Sequence, residues 1–300
     1  MKVAFVSLGC AKNLVNTEQM MALTRAAGHT VTGEPEGADI AVLNTCGFID
    51  SAKSEAIQNI LELAALKDQG KLGKLLVTGC LSQRYQDELT KEMPEVDGVM
   101  GTGSYTDIVS ALEELAAGGH PRRFGDISRT DEDGERLVTT PSYTAFLKIA
   151  EGCDNRCAFC IIPYLRGRYR SRTMEALLEE AKALADRGVK ELIVIAQDIT
   201  RYGIDLYHKQ MLGELLNELC KLPFHWIRLH YLYPDILGDE LIEVIARQPK
   251  IVKYIDIPLQ HSNDRILKAM NRHTTNAQIR ALLGKLRERI PGVVLRTSLI

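Results

Sequence analysis

Short apolar runs alternate with stretches of helical periodicity along most of the chain, and that alternation permits few architectures: parallel strands joined by helices, in an open sheet or in a barrel. Between residues 1 and 117 the candidate strands are Val3 to Leu8, Ile40 to Asn44, Lys74 to Thr78 and Gly98 to Gly101. A candidate helix follows each, at about Asn16 to Ala27, Ser51 to Lys67, Ser82 to Glu92 and Thr106 to Ala117. Open parallel sheets collect ligands beyond the carboxyl ends of their strands. Cys10, Cys46 and Cys80 each stand just past such an end, in SLGC, LNTC and VTGC, with glycines at 9, 47 and 79 that let the backbone turn closely around a bound group. Residues 36 and 34 positions apart are therefore expected to converge on one edge of one sheet. The competing expectation is three thiols buried in the core, a common place for free cysteine.

The pattern breaks at residues 118–142, which read as a linker between an N-terminal domain at 1–117 and a second at 143–300. This stretch holds Gly-Gly-His-Pro and the turn Asp131-Glu132-Asp133-Gly134, expected to be solvated, with Arg123 to Ile127 and Arg136 to Thr139 expected to pair as a hairpin around it. Charge divides the same way: residues 1–117 carry 9 basic and 16 acidic side chains, residues 118–300 carry 28 and 23. After the break, candidate strands recur at Ala145 to Ala150, Leu192 to Ala196, Trp226 to His230, Tyr254 to Ile257 and Val293 to Leu299. Helices are expected near Thr173 to Arg187, Met211 to Leu222, Leu237 to Arg247, Asp264 to Met270 and Asn276 to Arg289. Such βα units predict a partial (β/α) barrel, whose chemistry sits at the carboxyl face of the strands. The last strand runs to Ile300 without a cap, which reads as a truncation before the barrel's last strand.

At 300 residues and 45% apolar content the chain can bury two ordinary cores. No apolar run reaches the roughly 18 residues of a membrane span, and Lys2 to Leu8 is too short for a signal peptide. A cytoplasmic protein without a membrane partner is expected. The net charge of −2 argues against DNA as a partner.

Six of the seven cysteines form two groups of three. The second group, Cys153, Cys157 and Cys160, is a CxxxCxxC within EGCDNRCAFC, just past the first barrel strand. A structural zinc takes four protein ligands, and a ferredoxin run takes a fourth Cys followed by Pro. Here Cys160 is followed by Ile161, Ile162 and Pro163, with no Cys before Cys220 and no His between His120 and His208. Three thiolates instead suit three corners of a four-iron cluster, leaving the fourth iron open to a small chelating ligand. An odd cysteine count without a secretory leader argues against disulfides. Phe159 either shields one side of the cluster or is plain core packing. Cys220, inside a helical apolar pattern, is expected to be a small core residue.

The CxxxCxxC with its aromatic resembles the cluster loop of radical S-adenosylmethionine (SAM) enzymes, in which SAM chelates the open iron and is cleaved reductively to a 5′-deoxyadenosyl radical. Paired with an N-terminal domain bearing three further cysteines, it resembles the methylthiotransferase family. The matching segments are Ser7-Leu8-Gly9-Cys10-Ala11-Lys12-Asn13, Leu43-Asn44-Thr45-Cys46-Gly47, Val77-Thr78-Gly79-Cys80 and EGCDNRCAFCIIPYLRGRYRSR from Glu151 to Arg172. Ala-Lys-Asn after Cys10 resembles the RimO branch, which methylthiolates an aspartate β-carbon of protein S-twelve of the small ribosomal subunit; the tRNA-modifying branch more often has Gln-Met-Asn. Gln197-Asp198-Ile199-Thr200, YLYPD from Tyr231 to Asp235 and IPLQHSNDRILKAMNR from Ile257 to Arg272 extend the resemblance over essentially the whole chain.

That resemblance implies two [4Fe-4S] clusters: a SAM-binding one on Cys153, Cys157 and Cys160, and an auxiliary, sulfur-delivering one on Cys10, Cys46 and Cys80. It implies SAM contacts from Gln197 and Asp198, although the family's common Gly-Gly-Glu is absent there. The implied partners are the ribosomal protein or small subunit, an electron donor and a sulfur source. The family also continues into a C-terminal TRAM domain that helps bind the target. Without it, these 300 residues are expected to keep both cluster sites and turn over poorly. The rival substrate is a tRNA adenosine. A rival of another class is an iron–sulfur protein for electron transfer or redox sensing. Arg166, Arg168, Arg170 and Arg172 alternate in RGRYRSR, as a patch facing an anionic or ribosomal target or as the solvated face of one strand or turn.

Overall fold

The computed structural model describes residues 1–129 and 134–300, so the expected turn at Asp131-Glu132-Asp133 lies outside the described residues. By internal contacts the chain forms two compact units: Met1–Thr139 with Tyr164–Arg166, and Thr140–Pro163 with Gly167–Ile300.

In the first unit the order is β1 (Lys2–Ser7), α1 (Ala11–Ala26), β2 (Thr30–Thr32), β3 (Ala38–Thr45), α2 (Asp50–Asp68), β4 (Leu72–Gly79), α3 (Cys80–Glu92), β5 (Gly98–Met100), α4 (Ile108–Ala116) and β6 (Arg122–Arg123). Among the described residues these strands make one six-stranded sheet in the order β2-β1-β3-β4-β5-β6, with every pairing parallel. The central strands are near-continuous apolar runs because both faces are covered. Ile60 and Leu63 of α2 and Leu89 of α3 pack on one face with Leu43, Leu75 and Val77. Met20 of α1 and Ile108, Leu112 and Leu115 of α4 pack on the other with Val3, Phe5, Val42 and Leu76. The chain winds outward from β1 to β2 and then returns to the other side at β3. The carboxyl ends of β1 and β3 thus flank the switch point where doubly wound sheets bind ligands.

Helix α1 begins at Ala11, well before the expected Asn16. Its first turns bury Asn13, Asn16, Thr17 and Glu18, polar residues that a hydrophobic-periodicity reading assigns to solvent. The edge strands β2 and β6 escape sequence reading because they are short and polar. The expected hairpin around 131–134 is also corrected. Arg122–Arg123 extends the sheet parallel to β5, with Val99 opposite Arg122. Arg136–Thr139 is instead drawn onto α1, where the fully buried Glu18 carboxylate accepts from Arg136 Nη1 at 2.6 Å and from the Thr139 amide at 2.6 Å. A buried carboxylate needs such partners, and no expected hairpin bond supplies them.

The second unit contains β7 (Thr144–Lys148), β8 (Ala150–Glu151), α5 (Ile162–Arg166, whose last three residues belong to the first unit), β9 (Arg170–Ser171), α6 (Met174–Asp186), β10 (Glu191–Ile195), α7 (Ile204–Tyr207), α8 (Leu212–Leu219), β11 (Trp226–Leu229), α9 (Asp239–Arg247), β12 (Ile251–Asp256), α10 (Asp264–Ala269), α11 (Asn276–Arg289) and β13 (Val294–Arg296). Five of its described strands form a parallel sheet in the order β13-β12-β11-β10-β7, each beside its neighbour in this series, as in a singly wound partial barrel. A small antiparallel ribbon, β8 with β9, follows the carboxyl end of β7. The α11 boundaries coincide with the sequence expectation because Thr275 and Gln278 complete a capping box there. Among the described residues no helix is long and apolar enough to cross a membrane.

Candidate metal centres

In the first unit, Cys10 is the N-cap of α1, Cys46 follows the last residue of β3 and Cys80 opens α3. Their strands, β1, β3 and β4, are adjacent, so the three cysteines stand along one carboxyl edge at the switch point. The backbones there touch. A Cβ built on Gly9 would lie 2.6 Å from the Cys46 Cβ, and one built on Gly47 would lie 3.2 Å from the Cys80 carbonyl carbon. Gly79 holds a φ of +98°, and a Cβ on it would strike Asn44 Oδ1 at 2.3 Å and Thr45 O at 2.5 Å.

Two of these thiols sit at helix N-termini, where the partial positive charge of the free N–H groups favours a thiolate. Burial raises the Cys10 thiol, but the Lys12 ammonium, the Arg166 guanidinium and the amides of Asn13 and Lys12 outweigh it and hold it below the ordinary value. Burial pushes Cys80 up against the opposing Arg166 charge, and charge on Cys10 and Cys46 pushes the same way. The three thiols therefore lie within one another's field. Behind them runs a buried polar layer. Asn13 Nδ2 donates to Leu8 O at 3.1 Å and Thr45 O at 2.9 Å, and Asn44 Nδ2 donates to Asn13 O and Thr17 Oγ1, both at 2.9 Å.

Arg166 completes this site. The sequence reading put it in an exposed basic patch, yet it is only 3% exposed and bonds Asn16 Oδ1 at 3.0 Å, Asn13 Oδ1 and the Tyr105 hydroxyl. Arg172 is buried too, on Lys148 O at 3.0 Å and Glu180 Oε2 at 2.6 Å, while Arg168 remains exposed. The alternating pattern is therefore not one surface. The buried asparagines of α1 are the sequence signal that could have shown a polar partner arriving from elsewhere.

In the second unit, Cys153 follows the β8 strand and Gly152, whose Cβ would clash at 2.0 Å with Arg168 O, two residues before the facing ribbon strand β9. The Cys153 amide donates to Gly167 O at 3.2 Å, and the Cys160 amide to Cys157 O at 2.9 Å, closing the loop at the carboxyl edge of the sheet. Burial pushes Cys153 up to about 12, with charge on Asp198, Cys160 and Cys157 adding to it. Burial also raises Cys160, with Cys157 reinforcing and Arg272 opposing. Arg272 Nη1 lies 3.5 Å from Cys157 Sγ, and its guanidinium stacks 4.1 Å over the Tyr233 ring, whose hydroxyl is 4.0 Å from the same sulfur. Phe159 is 46% exposed, so it is not core packing, and Cys220 is half-buried at the end of α8 rather than fully in the core.

Gln197 and Asp198 follow β10 on the same edge, and the structure separates them. Asp198 is fully buried, with its carboxylate bonded to Asn155 Nδ2 at 2.8 Å, the Thr200 amide at 3.0 Å and Arg201 Nε at 3.2 Å. Gln197 donates Nε2 to Glu151, while its Oε1 is buried with no hydrogen-bond partner among the described residues. Glu151 is held in turn by the fully buried Lys148 at 2.9 Å.

Among the described residues, no three His, Cys, Asp or Glu side chains close on a point that holds one metal ion. Thiolates of a mononuclear site lie about 2.3 Å from a common ion, whereas a cubane distributes them over separate irons. Within each set of three the thiols act on one another electrostatically, and each set fits the second kind of group by donor chemistry and by its close-turning glycine backbone.

Comparison with known proteins follows the same division. Residues 2–101 match Uncharacterized protein family UPF0004, and residues 147–300 match the radical SAM superfamily. The chain is 50% identical to the ribosomal protein uS12 methylthiotransferase RimO of Symbiobacterium thermophilum, covering 100% of this chain and 62% of that protein. It is 50% identical to the protein of that name from Clostridioides difficile (100% and 68% covered) and 52% identical to that of Caldanaerobacter subterraneus (99% and 68%). The chain thus spans 62–68% of the length of these relatives. Among solved structures it is similar to the radical SAM methyltransferase TsrM of Kitasatospora setae with cobalamin and a [4Fe-4S] cluster bound, at TM-score 0.70 and 12% identity, covering 99% of this chain and 69% of that one. The cobalamin-dependent SAM radical enzyme OxsB matches at TM-score 0.66 and 13% identity, covering 100% and 49%. At such identities these two likenesses concern the fold alone.

Proposed function

Because the chain belongs to the RimO family of methylthiotransferases within the radical SAM superfamily, we propose that it carries the catalytic part of an enzyme that adds a methylthio group to the β-carbon of an aspartate in uS12. The observation that carries the two-cluster reading is the alignment of Cys10, Cys46 and Cys80 past three adjacent strand ends, with a second set of three at the carboxyl end of β7 and β8. Cys153, Cys157 and Cys160 would hold one four-iron cluster and Cys10, Cys46 and Cys80 the other, each with one iron lacking a protein ligand. When bound, the first cluster with one SAM would supply the radical that breaks an unactivated C–H bond, the second cluster the sulfur that replaces the hydrogen, and another SAM the methyl group that sulfur carries.

The protein's share is to bind, orient and keep water out. Gln197 Oε1 is the unpartnered acceptor suited to the SAM amino group, held in place by the bond its Nε2 makes to Glu151. Asp198 instead fixes the loop beyond β10 by bonding Asn155, Thr200 and Arg201. Arg272 and Tyr233 cover Cys157 with a stacked pair that restricts solvent on that sulfur. An electron donor and a sulfur source complete the cycle as partners.

Cysteine variants of the full chain, assayed with SAM and a reductant, test the division of labour. Cys157→Ala is expected to abolish formation of 5′-deoxyadenosine, while Cys46→Ala spares it and abolishes methylthiolation. Equal loss of cleavage in both would sink the reading. Mass spectrometry of uS12 and of tRNA from a deletion strain identifies the substrate: loss of the modification from the protein is expected, and loss from tRNA adenosine contradicts it.

A further inference from the structure

The segment IPLQHSNDRILKAMNR ends in three residues that each bond the CxxxCxxC loop. Past the end of α10, the Met270 carbonyl accepts from the Ala158 amide at 3.0 Å, Asn271 Nδ2 donates to the Arg156 carbonyl at 2.8 Å, and Arg272 Nη1 donates to Cys157 Sγ at 3.5 Å. Residues 270–272 thus clasp residues 156–158, and both side-chain bonds span 115 positions of sequence, beyond the reach of any local motif. Arg156 and Asn271 hold φ of +49° and +55°, a left-handed backbone that asparagine tolerates and arginine adopts only where its surroundings fix it.

Arg272 is itself held on every side. It is 7% exposed, its amide donates to Leu267 O at 2.9 Å, its Nη2 donates to the Pro258 carbonyl, and its guanidinium lies 4.1 Å over the Tyr233 ring. Neither acceptor of the guanidinium is a carboxylate, and its Nε has no partner among the described residues. A guanidinium set on a carbonyl, a sulfur and a ring keeps its charge, and burial leaves that charge poorly screened.

We propose that Arg272 is a positioning residue for the cluster held by Cys153, Cys157 and Cys160: its N–H fixes the Cys157 sulfur and, with its charge, raises that cluster's reduction potential. The inference rests on the reading that these three cysteines hold a cluster. An N–H donated to a ligating sulfur and a nearby positive charge both stabilise the reduced state, which carries one more negative charge. Removing them makes the cluster harder to reduce.

The test takes as parent the full chain with Cys10, Cys46 and Cys80 replaced by alanine, reconstituted anaerobically so that one cluster gives the signal. Iron is counted, and the midpoint potential is read by stepwise reduction with titanium(III) citrate followed by EPR. Arg272→Gln is expected to hold the parent's iron with a more negative midpoint, and Arg272→Lys to give a midpoint nearer the parent's. Asn271→Ala removes the bond to Arg156 while leaving the charge in place, and is expected to keep the parental midpoint. Retained iron with an unchanged midpoint in Arg272→Gln overturns the proposal, as does an Arg272→Lys midpoint as negative as that of the Gln variant. A shift in Asn271→Ala as large as that in Arg272→Gln also overturns it, because loosening of the loop would then account for both. If Arg272→Gln holds no iron, Arg272→Lys decides: iron with a near-parental midpoint supports the proposal, and iron loss there too overturns it. Absence of iron from the parent itself refutes the cluster reading, and the inference with it.

Discussion

Single residues set the geometry of the first cysteine group, and Gly79 shows it most simply. Its φ of +98° and its approach to Asn44 and Thr45 leave no room for a side chain, immediately before Cys80. Gly79→Ala is expected to destabilise the fold by about 1–3 kcal/mol through backbone strain and to reduce iron bound at this site. Thermal unfolding and iron assay check both, and a variant matching the parent in both contradicts the close-turn account. This glycine was legible in the sequence because a strand end followed by Gly-Cys has a physical reason to be there. Arg166 was not. The period of two in RGRYRSR reads as one face of a strand, whereas only Arg170 and Ser171 are in a strand and Arg166 and Arg172 are buried by different partners. Tertiary contacts, invisible to local periodicity, decided those positions.

At the scale of elements, α1 is the member on which the first site depends. It presents Cys10 as N-cap, Asn13 and Asn16 to Arg166, and Glu18 to the segment at 134–139. Glu18→Ala removes the acceptor of Arg136 and of the Thr139 amide and hydroxyl, and breaking a buried pair of this kind costs about 3–5 kcal/mol. The expected result is lower resistance to urea and faster proteolysis between residues 134 and 139. Unchanged protection there would show that the segment is held by other contacts. Sequence reading placed the long helices well and the start of α1 poorly, for one reason. Helices that bury an apolar stripe announce themselves, whereas the first turns of α1 bury polar residues that bond Asn44, Arg136 and Arg166, which are 31, 118 and 150 positions away.

For each whole unit, the parallel sheet does the organising. A doubly wound sheet in one unit and a singly wound one in the other both deliver loop residues to the carboxyl ends of their strands, and both sets of cysteines are found there. That much followed from strand periodicity and cysteine position. The edge strands β2 and β6 of the first sheet and the β8–β9 ribbon did not, because strands so short and so rich in polar residues show no apolar run to read. The central claim is that these edges hold two iron–sulfur clusters, one of which binds SAM. Anaerobic reconstitution of the full chain, with iron counted and spectra recorded before and after SAM, tests it most directly. About eight irons per chain, falling to about four when Cys153, Cys157 and Cys160 are all replaced by alanine, with the SAM-induced spectral change lost in that variant, is the expected result. About four irons in the parent, or a SAM response that survives the replacement, would contradict it.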